Sequence, residues 1–337
     1  VEDEFAWLDR VSPRRFFQPN VTEGIGDDAA IYQTSPKFED ILCVDTLVEG
    51  IHFARETMLP TDIGYKALAV NISDVAAMGG SPLYYIVSAA VPATWTEDDL
   101  IMIYRGMREL GDSYEMDLLG GDTVSTDGPL VLSVTVVGRT EKGKYLTRRD
   151  AEAGDVLVIT GPLGGSAAGL HLLWNQGELD FEDEANRTLL QYHQRPDPQV
   201  IAGRMFAHET SRAAVNDISD GLASEAWEIA EASEVSLHID QDVLPLAAKW
   251  HPQFSDEQAL QHALFGGEDF QLLAALPADE WPALEKQLQT EGIPALKIGT
   301  VQAGDPAVTL HAEGEQVPLL KKGYNHFSAE NQRKGSE

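Results

Sequence analysis

Apolar residues in this chain come in short runs, and clusters of glycine with aspartate or glutamate separate them. Ala29–Tyr32 and Asp40–Val44 read as strands. Thr61–Met78 reads as a helix that closes at Gly79-Gly80, with Pro82 just beyond. Its apolar stripe runs through Ile63, Ala67 and Val70 and then lands on Asp74, with Asn71 one turn earlier. Pro82–Val91 is a mostly apolar strand. Thr96-Glu97-Asp98-Asp99 has the form of a capping box, opening a helix with Leu100, Ile103, Met107, Leu110 and Tyr114 inward and Tyr104 beside them. Met116–Leu119 is a short strand, and Leu130–Val137 alternates so little that both of its faces are expected to be covered.

The polar, locally basic stretch Glu141–Ala153 places a domain boundary near Lys144. Strand Val156–Thr160 restarts the pattern, and Gly161-Pro162-Leu163-Gly164-Gly165-Ser166 opens a helix through about Asn175. That turn lacks the lysine and spacing of a phosphate loop, so tight strand-to-helix packing is its expected role. Helices follow at Glu184–Tyr192 and Pro198–His208, then a short strand ending at Asp217 and a helix through Ala226, Ile229 and Ala230. Val235–Ile239, Phe270–Ala275, Ala295–Val301 and Ala307–His311 read as strands, and Glu257–Leu264 as a helix. Residues 1–20 read as a short helix, with Phe5, Leu8, Phe16 and Phe17 available to pack, and 329–337 as a disordered tail. The expected class is α/β in the α+β sense, with domains at 1–144 and 145–328.

The chain's 337 residues, 43% of them hydrophobic, suffice for a sizeable core in two domains. One cysteine, Cys43, rules out an internal disulfide framework or a cysteine zinc cluster. Val1 to Arg15 carries no apolar core of signal-peptide length, and no run approaches the roughly 18 apolar residues of a spanning helix, so a cytoplasmic protein is expected. The formal net charge of -31, from 55 acidic and 24 basic residues, argues against nucleic acid or an anionic membrane as partner. Such a surface would also repel a phosphate ligand, unless bound divalent cations invert the local field. A salt-rich cytoplasm would screen the self-repulsion.

Three acidic glycine turns recur: Gly24-Ile25-Gly26-Asp27-Asp28, Gly120-Gly121-Asp122-Thr123 and Gly266-Gly267-Glu268-Asp269. The candidate ligands Asp28, Asp45, Asp74, Asp122, Asp217 and Asp220 are all oxygen donors, a set that suits magnesium or calcium rather than zinc. A carboxylate on the inward face of a helix, as at Asp74, is paired, caps a nearby backbone or holds a metal. Near Ser219, free N–H groups at a helix start would favour an anion, while Asp217 and Asp220 would favour a cation. A metal–phosphate complex satisfies both. Neither H-E-x-x-H nor G-x-S-x-G occurs, so the pattern favours a magnesium-dependent enzyme of nucleotide or phosphate metabolism. If Asp28 heads a strand, Asp27 points to the opposite face, leaving one ligand and one supporting residue.

The order of motifs resembles the thiamine-monophosphate kinase family along nearly the whole chain. The carrying stretches are Gly24–Ala30, Asp45-Thr46-Leu47-Val48-Glu49-Gly50-Ile51-His52-Phe53, Lys66–Asp74, Gly120–Thr123, Asp217–Leu222, Gly266–Asp269 and Lys322-Gly323-Tyr324-Asn325-His326-Phe327. The resemblance implies transfer of the ATP γ-phosphoryl group to thiamine monophosphate. It implies an N-terminal α/β domain whose sheet pairs with its twin in a homodimer, and a C-terminal mixed sheet flanked by helices. By motif position, Asp28, Asp45, Asp74, Asp122, Asp217 and Asp220 would hold several magnesium ions. Tyr104, Gly121, Arg148 and Ser219 would contact ATP; His52, Glu268 and Tyr324 would contact the thiamine side. Cys43-Val44 and Gly164-Gly165-Ser166 depart from the family pattern, the first taking both side chains out of the metal set. The alternatives are an amide- or selenide-activating enzyme of the same superfamily, or a non-catalytic acidic cation-binding protein.

Overall fold

A computed structural model describes residues 20–23, 27–175, 179–249, 251–312 and 314–323. The helix expected over 1–20 (apart from Asn20), the Gly24–Gly26 turn, Tyr324 and the 329–337 tail lie outside the described residues.

The first sheet contains strands β1 (Val21–Glu23), β2 (Ala30–Tyr32), β3 (Phe38–Val48), β4 (Ser81–Pro92), β5 (Asp117–Thr126) and β6 (Val131–Glu141), in the order β1-β2-β3-β6-β4-β5. Only β4 and β5 run parallel; the other pairs are antiparallel. Helices α1 (Pro60–Ala77) and α2 (Glu97–Ser113) cover one face. The capping box of α2 forms as expected: Asp99 N–H donates to Thr96 Oγ1 at 3.2 Å, and Thr96 N–H donates to Asp99 Oδ2 at 3.0 Å.

On β6, Leu132, Val134 and Val136 are buried while Val131, Ser133, Thr135 and Val137 are only half-buried. The expectation that both faces are covered is therefore not met among the described residues. The register aligns Leu42 with Val137 and Tyr84, and Val44 with Thr135 and Ile86. Leu42, Val44, Tyr84 and Ile86 are exposed, so this outer face is apolar but open, which is why the strand looks doubly buried in sequence.

Gly120-Gly121-Asp122-Thr123 is not a turn. It lies inside β5, just after a register shift opposite Tyr85 and Ile86. A Cβ on Gly121 would come within 1.8 Å of the Val87 carbonyl oxygen, so the strand pairing itself demands glycine there.

The second sheet contains β7 (Val156–Ile159), β8 (Ala214–Asp217), β9 (Ser236–Asp240), β10 (Leu272–Leu276), β11 (Leu296–Gln302), β12 (Ala307–Ala312) and β13 (Glu315–Pro318), in the order β13-β12-β9-β11-β7-β10-β8. It is mixed: β9 and β12 are parallel, and the other pairs antiparallel. Its helices are α3 (Gly165–Trp174), α4 (Glu184–Gln194), α5 (Val200–Glu209), α6 (Leu222–Ser233), α7 (Asp256–Phe265) and α8 (Trp281–Thr290).

Two cores meet across β7: Val156 and Val158 join the core that α1 shares with the first sheet, while Leu157 and Ile159 face α6 and α7. Helix α1 thus lies between the two sheets. It is buried nearly all round, including Lys66, Asn71 and Ser73, so the Ile63–Ala67–Val70 stripe is only one of its apolar faces. The helix carries Asp74 to the seam where the two sheets approach.

Candidate active site

Four carboxylates converge at that seam, each from a different element. Asp28 comes from the loop before β2, Asp45 from the inward face of β3, Asp74 from α1 and Asp217 from the end of β8. Ligand oxygens of Asp28, Asp74 and Asp217 all lie within 4.8 Å of one another. Asp45 joins beside Asp74, close enough for the two carboxyl groups to share a proton. Asp217 lies beside Asp28, and its Oδ2 accepts from Ser73 Oγ at 2.7 Å. Asn71 Oδ1 accepts the backbone N–H of Asp45 at 3.0 Å, so the same helix turn that offers Asp74 also holds β3 in place.

So many carboxylates cannot all carry charge together at this range. Burial, and then the neighbouring negative charges, push Asp74 and Asp217 well above the usual carboxylate range. Burial pushes Asp45 up to about 6, and burial followed by the Asp28 charge pushes Asp27 up to about 7. Either protons are shared or a cation takes their place. Asp28 Oδ2 is buried without a hydrogen-bond partner, the position a cation would satisfy. An all-oxygen donor set of this kind fits a hard ion such as Mg2+.

Arg148 is the positive charge built into the cluster. Its guanidinium pairs with Asp28, meets Glu228 Oε2 at 2.8 Å and lies 3.7 Å from Asp27 Oδ1; its Nε donates to Asn216 Oδ1 at 3.0 Å. Asp27 also accepts the backbone N–H groups of Arg148 at 3.2 Å and of Asp28 at 3.0 Å. The two aspartates therefore do not point to opposite faces. Residues 27–29 precede the strand, so strand alternation does not apply, and both carboxylates turn toward Arg148. Asp27 is nonetheless the supporting member, because its bonds fix the loop.

Ser219 does not cap the following helix: α6 begins after Gly221, and Ser219 Oγ donates to Glu225 Oε1 at 3.4 Å. The same Glu225 oxygen accepts the Asp220 N–H at 3.0 Å, and Asn216 Nδ2 donates to Glu228 at 3.1 Å. Asp220 thereby borders the cluster through Glu225. Glu225 is buried, and desolvation, then the Glu228 charge, raises its carboxyl well above the ordinary value.

The acceptor-side candidates gather nearby. His52 Nδ1 accepts the Val48 N–H at 2.9 Å, which leaves the proton on Nε2 and makes that nitrogen a donor. Glu268 lies within electrostatic range of His52 and pairs with Lys66 Nζ at 2.8 Å. Gly267 (φ +73°) packs so closely that a Cβ would lie 2.5 Å from the Ser219 carbonyl oxygen, and Glu268 N–H donates to that oxygen at 2.6 Å. The third glycine turn is thus fastened onto the Ser219–Asp220 loop.

Next door, Asp269 accepts the N–H groups of Gly164 at 2.7 Å and Ser166 at 3.3 Å. A carboxylate of the protein itself fills the α3 N-terminus, so the glycine-rich turn serves packing, as its sequence indicates.

Two candidates stand apart. Asp122 is exposed on β5, opposite Ser88 and so on the outer face, while Gly121 shares an inward row with Asp45 across three strand spacings, about 14 Å. The pleat parts these neighbours, and Asp122 is not in the cluster. Tyr104 is half-buried on α2 against the first core. Tyr324 lies outside the described residues.

Sequence patterns passed over Lys66, Ser73, His193, Asn216, Glu225 and Glu228. Asn216, directly before Asp217, carried a signal, being a polar residue in an otherwise apolar strand. Glu225 and Glu228 sit three apart on one helix face, a spacing equally common on solvated helices.

Models of the AIR synthase related protein family match the chain, the N-terminal domain over residues 26–140 and the C-terminal domain over 152–311. The thiamine-monophosphate kinase of Bacillus subtilis (strain 168) is 46% identical over 329 residues, 96% of this chain and 99% of its own. That of Escherichia coli (strain K12) is 36% identical, covering 96% of each chain. Among solved structures, AaThiL complexed with AMPPCP and TMP is similar at a TM-score of 0.81 and 30% identity, over 96% of this chain and 97% of that one. Hydrogenase maturation protein HypE in complex with ATP reaches 0.68 at 19% identity, covering 94% and 93%, which shows a shared fold alone.

Proposed function

The chain belongs to the thiamine-monophosphate kinase family, and from that premise we propose how its own residues carry out ATP-dependent phosphorylation of thiamine monophosphate to thiamine diphosphate. Asp28, Asp45, Asp74 and Asp217 hold Mg2+, with Asp220 at the border of the group. When bound, Mg2+ supplies neutralisation of the polyphosphate oxygens, which is most of what phosphoryl transfer requires. The convergence of Asp28, Asp74 and Asp217 around an unpartnered buried oxygen is the observation that carries this reading.

The acceptor is itself a phosphate oxygen, ionised near neutral pH, so no protein base has to remove a proton. The chain therefore contributes position and charge rather than a nucleophile. Arg148, Ser219, Gly121 and Tyr104 contact ATP, and Arg148 is preset for a phosphate by Glu228 and Asn216. His52 through Nε2–H, Glu268 and, by its motif position, Tyr324 would contact the acceptor. Residues 1–144 and 145–328 act as two domains, a division supported by the gap between the two matched spans at 140 and 152.

The open apolar rows of Leu42, Val44, Tyr84 and Ile86 support a homodimer in which a second copy covers this face, where Asp122 also lies. Light scattering is expected to give twice the chain mass; a monomer at micromolar concentration contradicts the pairing. Among the described residues no helix is long and apolar enough to cross a membrane, which supports a cytoplasmic setting.

The metal reading has a pH signature in unfolding experiments. Asp45 (about 6) and Asp27 (about 7) titrate above their ordinary value of 3.8 in the folded chain. A raised carboxyl costs nothing below its unfolded value, and the cost grows as pH rises through the folded one. At pH 5 a cation must displace protons that are already lost at pH 8. The rise in Tm on adding Mg2+ is therefore expected to be larger at pH 8 than at pH 5, and an equal or reversed difference contradicts the site.

A further inference from the structure

Lys66 is a lysine in the middle of a buried helix, with 1% of its side chain exposed. An ammonium so placed is costly unless paired, and a buried pair adds little net stability over apolar packing. Its retained partner is Glu268 Oε1 at 2.8 Å. The other oxygen, Oε2, lies 3.5 Å from His193 Nδ1, and that nitrogen is also 3.1 Å from Ser166 Oγ. His193 is 2% exposed, and its Nε2 has no hydrogen-bond partner. Burial, then the Lys66 charge, drops its pKa to about 3, so the ring is neutral, and the tautomer that pairs with the carboxylate carries its proton on Nδ1. Burial raises the Glu268 carboxyl, but the Lys66 ammonium beside it more than offsets this, keeping it below its ordinary value.

The backbone agrees with the side chains. Glu268 (φ +60°) and Phe270 (φ +48°) are non-glycine residues in the left-handed region, a cost tolerated where the surroundings impose it. Glu268 N–H and Phe270 N–H are tied to the carbonyls of Ser219 and Ile218 at 2.6 and 2.9 Å. The Glu268 side chain still keeps 31% exposure, and His52 lies within its electrostatic range. A fixed, ionised carboxylate with one open side selects a ligand head bearing a cation or N–H donors, since a head lacking them strands a desolvated charge.

We propose that Lys66 and His193 are positioning residues that lock the Glu268 carboxylate for recognition of the cationic, donor-bearing head of the phosphate acceptor. The inference rests on the assignment of Glu268 to the acceptor side. It is tested by steady-state kinetics of Glu268→Gln, Lys66→Met, their double variant, His193→Leu and His193→Gln, with acceptor and ATP varied separately. Lys66→Met is expected to raise the acceptor KM roughly 10-fold or more and to move the ATP KM less than about twofold. In the Glu268→Gln background the same change adds nothing, because Lys66 acts through Glu268. His193→Leu shifts the acceptor KM in the same direction, and His193→Gln, which keeps a donor, recovers part of the loss.

Additive effects in the double variant, or equal changes in both KM values, overturn the proposal. Should Lys66→Met alone not fold, the double variant removes both charges, and the His193 pair still decides the outcome. If Glu268→Gln leaves the acceptor KM unchanged, the assignment of Glu268 itself fails and the proposal with it; a Glu268 effect without a Lys66 or His193 effect overturns the proposal alone.

Discussion

Asp74→Asn is expected to lower turnover by at least about 100-fold while making the metal-free protein more stable. The two effects share one cause. Asp74 is pushed well above the carboxylate range by burial and then by Asp45, Asp217 and Asp28, so at neutral pH its ionisation opposes folding. Asparagine keeps the size and hydrogen-bonding capacity and removes the charge. By linkage, the folded-state value lies above the unfolded one, so the stability gained grows as pH rises from about 4. The same substitution removes a central ligand, so Mg2+ should raise Tm less than in the parent chain. Thermal unfolding at pH 8 with and without Mg2+, beside a turnover assay, reads both. An unfolded variant would mean that Asp74 caps backbone or supports packing instead.

Arg148→Met carries the second large effect, in the opposite direction. Methionine approximates the length of the arginine stem but leaves Asp27, Asp28 and Glu228 without their cation. Removing one partner from a buried ionic network costs about 3–5 kcal/mol. All three carboxyls already sit above their ordinary values, chiefly through burial, and losing the guanidinium raises them further. Their penalty vanishes below the unfolded pKa and grows with pH, so the variant should approach the parent in stability as pH falls toward 4. Mg2+ should recover part of the loss at pH 8. Denaturant unfolding across pH measures this, and a stability difference that does not shrink on acidification contradicts the assigned role of Arg148. Arg148→Lys is expected to recover charge but not the fork that reaches Asp28, Glu228 and Asn216 together.

Much of this arrangement was legible in the residues alone. The α1 and α2 boundaries, the Thr96–Asp99 box and most strands follow from periodicity and capping, which are local properties. Asp28, Asp45, Asp74 and Asp217 announced themselves as acids placed where apolar patterns end or are interrupted. What failed was non-local. Asp27 and Asp28 were separated by a strand rule that does not reach their loop, and Gly120–Thr123 has turn composition yet pairs as a strand. Lys66 and His193 lie on ordinary-looking helices whose faces are decided by an element from elsewhere in the chain, the Glu268 loop. Glu228 finds Arg148 across eighty residues of sequence, a distance over which no spacing rule operates. Apolar residues on the outer face of β3, β4 and β6 made that face look covered, though among the described residues it stays open.

The chain is expected to transfer a phosphoryl group from ATP to the phosphate of thiamine monophosphate in a magnesium-dependent reaction. Following the reaction by phosphorus NMR with the full chain, ATP, Mg2+ and thiamine monophosphate tests it most directly. Thiamine diphosphate and ADP should appear in equal amounts and only when Mg2+ is present. ATP consumption that yields ADP and inorganic phosphate without thiamine diphosphate, or no consumption at either low or molar salt, would contradict the account.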